Sequence, residues 1–124
     1  MKYEFTLKGK QPSLNEYINL CRHNKHTGAR FKREVQEIIS WQIPPKLKEK
    51  QLTGVVITFR WYEQNRRRDE DNVKSAKKYI LDSLVDVGTL QGDGHKHIIR
   101  QVDSDIMIDK NNPRVEIVIE EIEE

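Results

Sequence analysis

The fold is decided by one stretch, positions 55–88, which reads VVITFRWYEQNRRRDEDNVKSAKKYILDSLVDVG. Large apolar side chains occupy every second position from Val55 to Trp61, which is the pattern of a buried strand. Apolar residues then take helical spacing from Val73 to Val87, and Gly88 stands where a helix would end. The stretch therefore predicts a central strand, a polar turn and a helix over about positions 72–87.

Shorter patterns on either side of this stretch predict the remaining strands. Apolar and polar side chains alternate around Tyr3–Leu7 and again around Val115–Ile119. Ile98–Val102 shows a weaker form of the same alternation. We therefore expect one strand at the start of the chain, one at its end and one after the long helix.

A second helix is predicted before the central strand. Phe31, Val35, Ile38 and Ile39 follow helical spacing that continues to Gln42, and Pro44-Pro45 ends the segment. Positions 14–20 are loosely helical, whereas the polar, glycine-containing positions 21–30 predict a loop. Since 124 residues suit one domain, we expect a single α+β domain over 1–124, with two main helices packed on a small mixed sheet.

Composition and charge narrow the range of partners. The net charge is +2, but five glutamates fall in the last nine residues, so positions 1–115 carry 22 basic and 15 acidic side chains, a net +7. A basic body attracts polyanions such as nucleic acid, and a small apolar fraction favours pairing with a second copy. Cys21 is the only cysteine in the sequence, so an intrachain disulfide is excluded. Without a long apolar run or a signal-like N-terminus, we expect a cytoplasmic protein that does not contact membranes.

Two aspartates after the central strand are candidate metal ligands. If the backbone is still extended there, Asp69 and Asp71 point the same way, because strand side chains alternate. Paired carboxylates suit Mg²⁺, a hard cation that takes oxygen ligands and keeps waters for phosphate chemistry. Asp93, between Gly92 and Gly94 in the turn after the helix, is the third candidate.

Positive charge beside a phosphate is the second requirement of phosphodiester hydrolysis. The candidates are Arg66, Arg67, Arg68, Lys74, Lys77 and Lys78. Asp71, Lys74 and Lys78 share one helical face, so the long side chain of Lys78 is placed to reach back toward a metal.

Simpler interpretations exist for the same residues. Asp69 and Asp71 would also serve as helix caps whose negative charge offsets that of the arginines. The lysines would form a solvated helix face. Asp93 would serve as an ordinary turn residue. The spacing after Asp69 excludes an EF-hand, and the histidines with Cys21 lack zinc spacing. The rival acidic metal cluster is Asp103, Asp105 and Asp109.

The combined motif resembles the RusA-like Holliday-junction resolvases of phages and bacteria. The resemblance runs through Arg68-Asp69-x-Asp71-Asn72, a lysine, Ile80-Leu81-Asp82-x-Leu84 and a short turn with Asp93. It extends more loosely to Pro12-Ser13-x-Asn15, to Gly28-Ala29-x-x-Lys32 and to Asn112-Pro113-Arg114-Val115. Ser75 stands four residues after the second aspartate, where the family has its lysine, so Lys74, Lys77 and Lys78 remain alternatives for that role. The turn also holds one aspartate where many members have two.

The resemblance implies a homodimeric α/β endonuclease that resolves four-way DNA by paired symmetric nicks in recombination and repair. It implies Mg²⁺, with Mn²⁺ able to substitute, held by Asp69, Asp71 and Asp93, with Lys78 stabilising developing charge. Phosphates of a DNA arm would be contacted by Arg66, Arg67, Arg68, Lys74 and Lys77, and farther out by Arg22, Asn24, Lys25, Arg30, Lys32 and Arg33.

Two other functions compete with this interpretation. The first is a non-catalytic module that binds branched DNA, in which the aspartates only shape the surface. The second is a structural or toxin-like interaction protein whose acidic tail docks a basic partner. Fold and spacing alone do not assign function, so a nicking assay has to separate them.

Overall fold

The computed structural model describes residues 1–9, 11 and 14–122, without the side chains of 14–17, 23 and 25. Within them the chain forms a five-stranded sheet, four α-helices and one 3-10 helix, which confirms the predicted mixed α and β composition. The elements are β1 Lys2–Lys8, α1 Leu14–His23, α2 Lys25–Gln42, a 3-10 helix Pro45–Leu47, β2 Val55–Glu63, α3 Glu70–Lys74, α4 Lys77–Asp86, β3 Ile98–Asp103, β4 Met107–Ile108 and β5 Arg114–Glu121.

The sheet has the strand order β1-β5-β2-β3, and β4 also pairs with β2. β5 runs antiparallel to both β1 and β2, whereas β3 and β4 run parallel to β2. β2 is thus the internal strand that the sequence predicts. Its alternate side chains Val55, Ile57, Phe59 and Trp61 are at most 1% exposed because they form the centre of the core.

The helices supply the other half of the core. α2 packs on α4, and α1 packs on α2. Ile39 of α2 and the α4 residues Ile80 and Leu84 are buried against the sheet side chains. Within the described residues, no helix has the length and apolar character needed to cross a membrane.

The predicted loop over positions 21–30 is wrong. α1 continues to His23, and Asn24 alone separates it from α2. The Asn24 side chain caps α2 by accepting a hydrogen bond from the His26 N–H at 2.8 Å. Gly28 lies inside α2, where a Cβ would come within 2.3 Å of Cys21 Sγ, so close helix contact explains the glycine. The polar side chains that the structure describes in this segment are exposed on a helical hairpin, whose composition resembles that of a loop.

The predicted continuous helix over 72–87 is interrupted. It begins earlier, at Glu70, and its two parts are separated by Ser75 and Ala76. The Ser75 hydroxyl donates to the Asn72 carbonyl at 2.7 Å, and the N–H groups of Ala76 and Lys78 bond carbonyls three residues back. This local tightening ends the α-helical register.

The predicted stop at Gly88 is confirmed. α4 ends at Asp86, and Gly88 adopts a left-handed φ of 81°. The Thr89 N–H then bonds the Leu84 carbonyl at 2.9 Å, which closes the end of the helix.

Candidate active site

The connection from β2 to α3 places the first two candidate ligands. β2 ends at Glu63, Asp69 is the N-cap of α3 with φ −64° and ψ 149°, and Asp71 lies in the first helical turn. The premise of an extended backbone through both residues is therefore wrong for Asp71. The helix begins at Glu70, so the two carboxylates leave the backbone from different conformations.

Both carboxylates are free among the described residues. Asp69 occupies the N-cap position, yet its side chain makes no capping hydrogen bond. Neither Asp69 nor Asp71 forms an ion pair with another described residue, and both are exposed. The simpler interpretation, in which Asp69 serves as a capping side chain, does not match this geometry.

The Arg68 side chain is held by contacts within the protein. Its Nε lies 2.9 Å from Glu63 Oε1, and its Nη1 donates to the Gln11 carbonyl at 2.7 Å. Both partners of the ion pair are largely buried, with 14% and 8% of their side chains exposed. Arg68 thus ties the segment before α3 to the end of β2, and its guanidinium is not presented to solvent as a phosphate ligand would be.

The third candidate ligand lies opposite a lysine. Lys78 Nζ, from the first turn of α4, is 3.5 Å from Asp93 Oδ2 and 3.1 Å from Asp82 Oδ1. The hydrogen bond and charge of Asp82, with a smaller effect of Asp93, raise the pKa of Lys78 above its ordinary value of 10.5. The fold therefore joins the helix and the following turn through one ammonium group.

The other two candidate lysines point elsewhere. Lys74 pairs with Glu70 within α3. Lys77 Nζ lies 2.7 Å from Asp103 Oδ2 on β3 and 5.7 Å from the centre of the Phe59 ring. Of the three lysines, Lys78 is the one whose ammonium lies beside Asp93.

Carboxylate oxygens are the donors that Mg²⁺ prefers, so Asp69, Asp71 and Asp93 fit that ion in chemistry. In the part of the chain that the structure describes, no three acidic, histidine or cysteine side chains are grouped closely enough to hold a metal. Asp69 and Asp71 belong to the start of α3, whereas Asp93 lies with the first turn of α4.

In the rival acidic cluster of Asp103, Asp105 and Asp109, two of the three carboxylates pair with other side chains. Asp103 accepts from Trp61 Nε1 at 3.1 Å and pairs with Lys77. Asp109 pairs with Arg114 at 2.8 Å. Asp105 is the exception, since it lines an open groove of about 550 Å³ whose other walls are Arg66, Arg68, Asp69, Glu70 and Ile106.

The remaining basic candidates differ in exposure. Those with exposed side chains are Arg22, Arg30, Arg33, Arg66 and Arg67. Lys32 is partly buried, 3.5 Å from Asp82, and Asn24 is used as a helix cap. Lys25 begins α2, but its side chain lies outside the described part of the chain, as do the residues Pro12 and Ser13.

Asp82 is not among the site residues predicted from the sequence. This residue contacts Lys78, Lys32 and Gln36, and it lines a second groove with Asp86 and Asp93. The i, i+4 spacing of Lys78 and Asp82 is the signal that would have identified the pair.

Comparison of the chain with models of protein families gave no match, and comparison with curated proteins gave none either.

Proposed function

We propose that this protein is a divalent-metal-dependent endonuclease that cuts four-way DNA junctions. The observation that carries the proposal is that two acidic residues of this protein are exposed and have no partner among the described residues. Asp69 and Asp71 remain exposed and unpaired among the described residues, next to an arginine-rich segment. The nearby carboxylate of Glu63, by contrast, is buried and paired with Arg68, so it is not available to a metal ion.

The metal would be Mg²⁺ or Mn²⁺, held by Asp69 and Asp71 with Asp93 as the third ligand. When bound, such an ion activates water and neutralises charge on the phosphate. The chain's own side chains would bind the DNA and hold positive charge at the reaction. Lys78 is the candidate for that charge because its ammonium faces Asp93.

DNA would be held by the exposed basic side chains. Arg66 and Arg67 precede Arg68 and Asp69 in the chain, and Arg66 lines the same groove as Asp69. Arg22, Arg30 and Arg33 lie on the α1–α2 hairpin and would extend the surface along one DNA arm. A homodimer would supply two sites to two strands, which is how symmetric nicks arise. Sedimentation velocity with and without junction DNA tests that state.

The deciding experiment is a nicking assay on a synthetic four-way junction with and without Mg²⁺. Asp71→Asn should lower the nicking rate by about 10²- to 10³-fold and leave junction affinity intact, because it removes a ligand of the charge-stabilising metal ion and no DNA contact. Asp69→Asn should behave in the same way.

Asp105→Asn is the matched control, because Asp105 lines the same groove and belongs to the rival cluster. It should nick at the wild-type rate. Loss of nicking in Asp105→Asn with full activity in Asp71→Asn would contradict the proposed ligand set.

A non-catalytic module for branched DNA is the second candidate. It is favoured by the separation of the three carboxylates, which form no metal-holding group among the described residues. This candidate predicts tight junction binding, no Mg²⁺-dependent nicking and no effect of Asp71→Asn on either. The same assay therefore separates the two functions.

A further inference from the structure

Asp82 is the point at which α2, α4 and Lys78 meet. It lies in the second turn of α4, and 20% of its side chain is exposed, against 66% for Lys78. Its neighbours Leu81 and Ser83 are buried, so the backbone that carries it is anchored in the core.

The two oxygens of the Asp82 carboxylate have different partners. Oδ1 lies 3.1 Å from Lys78 Nζ. Oδ2 faces α2, where it accepts from Gln36 Nε2 at 3.4 Å and lies 3.5 Å from Lys32 Nζ. The ties to α2 limit rotation of the carboxylate and so set the direction in which Oδ1 points.

The two carboxylates that share Lys78 are held very differently. Asp82 is fixed by a buried helix and by α2, whereas Asp93 lies in a turn between two glycines with 48% of its side chain exposed. A free lysine side chain samples many rotamers, and ordering it requires a fixed partner. Asp82 is that partner, which leaves Asp93 accessible to another cation.

We propose that Asp82 is a positioning residue that holds the Lys78 ammonium beside Asp93. The carboxylate of Asp93 is then able to take a metal ion while the ammonium stays at the site. The raised pKa of Lys78, caused first by Asp82, agrees with this arrangement because the pair favours the charged form. The inference rests on the proposed nuclease function for its catalytic part, but its structural part is testable without it.

The first test measures nicking of the full-length protein on a synthetic junction in Mg²⁺. Asp82→Asn keeps the shape of the side chain and removes its charge, and kcat should fall by about 10²-fold, as for a misplaced catalytic group. Junction affinity and KM should stay within about twofold, since Asp82 contacts no DNA in this proposal. Asp82→Glu, which keeps the charge, should recover part of the loss.

Two control variants separate positioning from a merely structural role. Asp86→Asn removes a neighbouring exposed carboxylate of the same groove, which forms no ion pair among the described residues. Gln36→Met removes one tie of Asp82 to α2 and leaves the Asp82–Lys78 pair. Asp86→Asn should nick at close to the wild-type rate. Gln36→Met should lose much less activity than Asp82→Asn, because Lys32 still contacts Asp82 Oδ2. If Gln36→Met lost as much activity as Asp82→Asn, Asp82 would be a structural tie and the proposal would fail.

The second test needs no nuclease activity. Relaxation of ¹⁵N-labelled lysine ammonium groups, measured by NMR without metal or DNA, reports how ordered each ammonium is. Lys78 should be more ordered than the exposed Lys46, should lose that order in Asp82→Asn and should keep it in Asp93→Asn. Loss of order only in Asp93→Asn would overturn the proposal.

The two tests fail in distinguishable ways. If wild-type protein does not nick the junction but Lys78 is ordered by Asp82, the proposed function falls and the positioning stands. If wild-type protein nicks and Asp82→Asn nicks at the same rate, the function stands and the positioning role is refuted.

Discussion

At the scale of the residue, identical side chains have different roles because the backbone presents them differently. Asp69 and Asp82 both lie on or next to helices, but Asp69 is unpaired among the described residues and Asp82 has three partners. Arg68 has two exposed arginines as neighbours, yet it is buried against Glu63. Of the three consecutive arginines, Arg68 therefore has a structural role, and Arg66 and Arg67 are accessible to a ligand.

The pH response of Lys78 tests its surroundings directly. Its folded pKa is raised above the ordinary 10.5, so its ion pairs are fully formed below that value and are lost as the pH rises through the folded pKa. A ¹³Cε NMR titration should show a Lys78 midpoint above the ordinary value of 10.5. Asp82→Asn should lower the midpoint more than Asp93→Asn does, because Asp82 is the larger cause. The opposite order would contradict this account.

Arg114 shows how a motif residue is explained by structure alone. It lies at the start of β5, where its guanidinium stacks 3.7 Å above the centre of the Tyr62 ring. It also pairs with Glu116 and Asp109, which raise its pKa above the ordinary value. The residue fastens the turn before β5 to β2, so its part in the sequence motif requires no contact with substrate.

At the scale of the element, the α1–α2 hairpin depends on one close contact. An alanine usually stabilises a helix interior relative to glycine by about 1 kcal/mol. At Gly28 the added Cβ would lie 2.3 Å from Cys21 Sγ but 3.5 Å from the Cys21 Cα and Cβ. Of the described atoms nearest to that Cβ, the Cys21 sulfur is therefore the one that lies closer than ordinary van der Waals contact.

The two residues should consequently be strongly coupled. Gly28→Ala should destabilise the wild-type protein by about 1–3 kcal/mol, because it forces the sulfur or the helices to move. In a Cys21→Ala background the same change should be neutral or stabilising, since the obstructing atom is gone. Urea unfolding of the four proteins in this cycle measures the coupling. An equal effect of Gly28→Ala in both backgrounds would rule out the contact.

The break between α3 and α4 is a second feature at this scale. It separates the segment with Asp69 and Asp71 from the helix with Lys78 and Asp82. The shorter-range hydrogen bonds around Ser75 and Ala76 therefore set the orientation of α3 relative to α4.

At the scale of the whole molecule, charge is distributed unevenly. The net charge is +2, but the acidic residues concentrate at the end of the chain, and exposed arginines stand before α3 and on α2. Under the proposed function this surface would bind DNA largely by releasing counterions, so affinity would fall with salt in proportion to the phosphates contacted.

The arginines before α3 should dominate that salt dependence. Replacing Arg66 and Arg67 by glutamine should weaken junction binding and reduce the slope of log affinity against log salt by about 2, or about 0.9 per lost phosphate contact. Fluorescence anisotropy at several salt concentrations measures this slope. Lys46→Gln with Lys48→Gln is the charge-matched control on the exposed segment around the 3-10 helix, and its slope should stay at the wild-type value. Equal slopes in all three proteins would exclude this arginine surface from DNA binding.

Much of the fold was predictable because its signals are local. The strands β1, β2, β3 and β5 were predicted to within two residues at each end, since alternation is set by adjacent side chains. β4 was missed because two residues are too short to show a period. The predicted loop at positions 21–30 was wrong because an exposed helix and a loop have similar composition.

The sequence by itself determined the class of fold, the internal position of β2, the stop at Gly88 and the set of chemically suitable side chains. Each of these follows from residue type and from spacing along a few turns or strand positions. Only the tertiary structure decided that Arg68 is buried, that Lys78 rather than Lys77 faces Asp93, and that Asp82 joins α2 to α4. Those contacts depend on how separate elements pack, and the packing is set by the whole core rather than by neighbours in the chain.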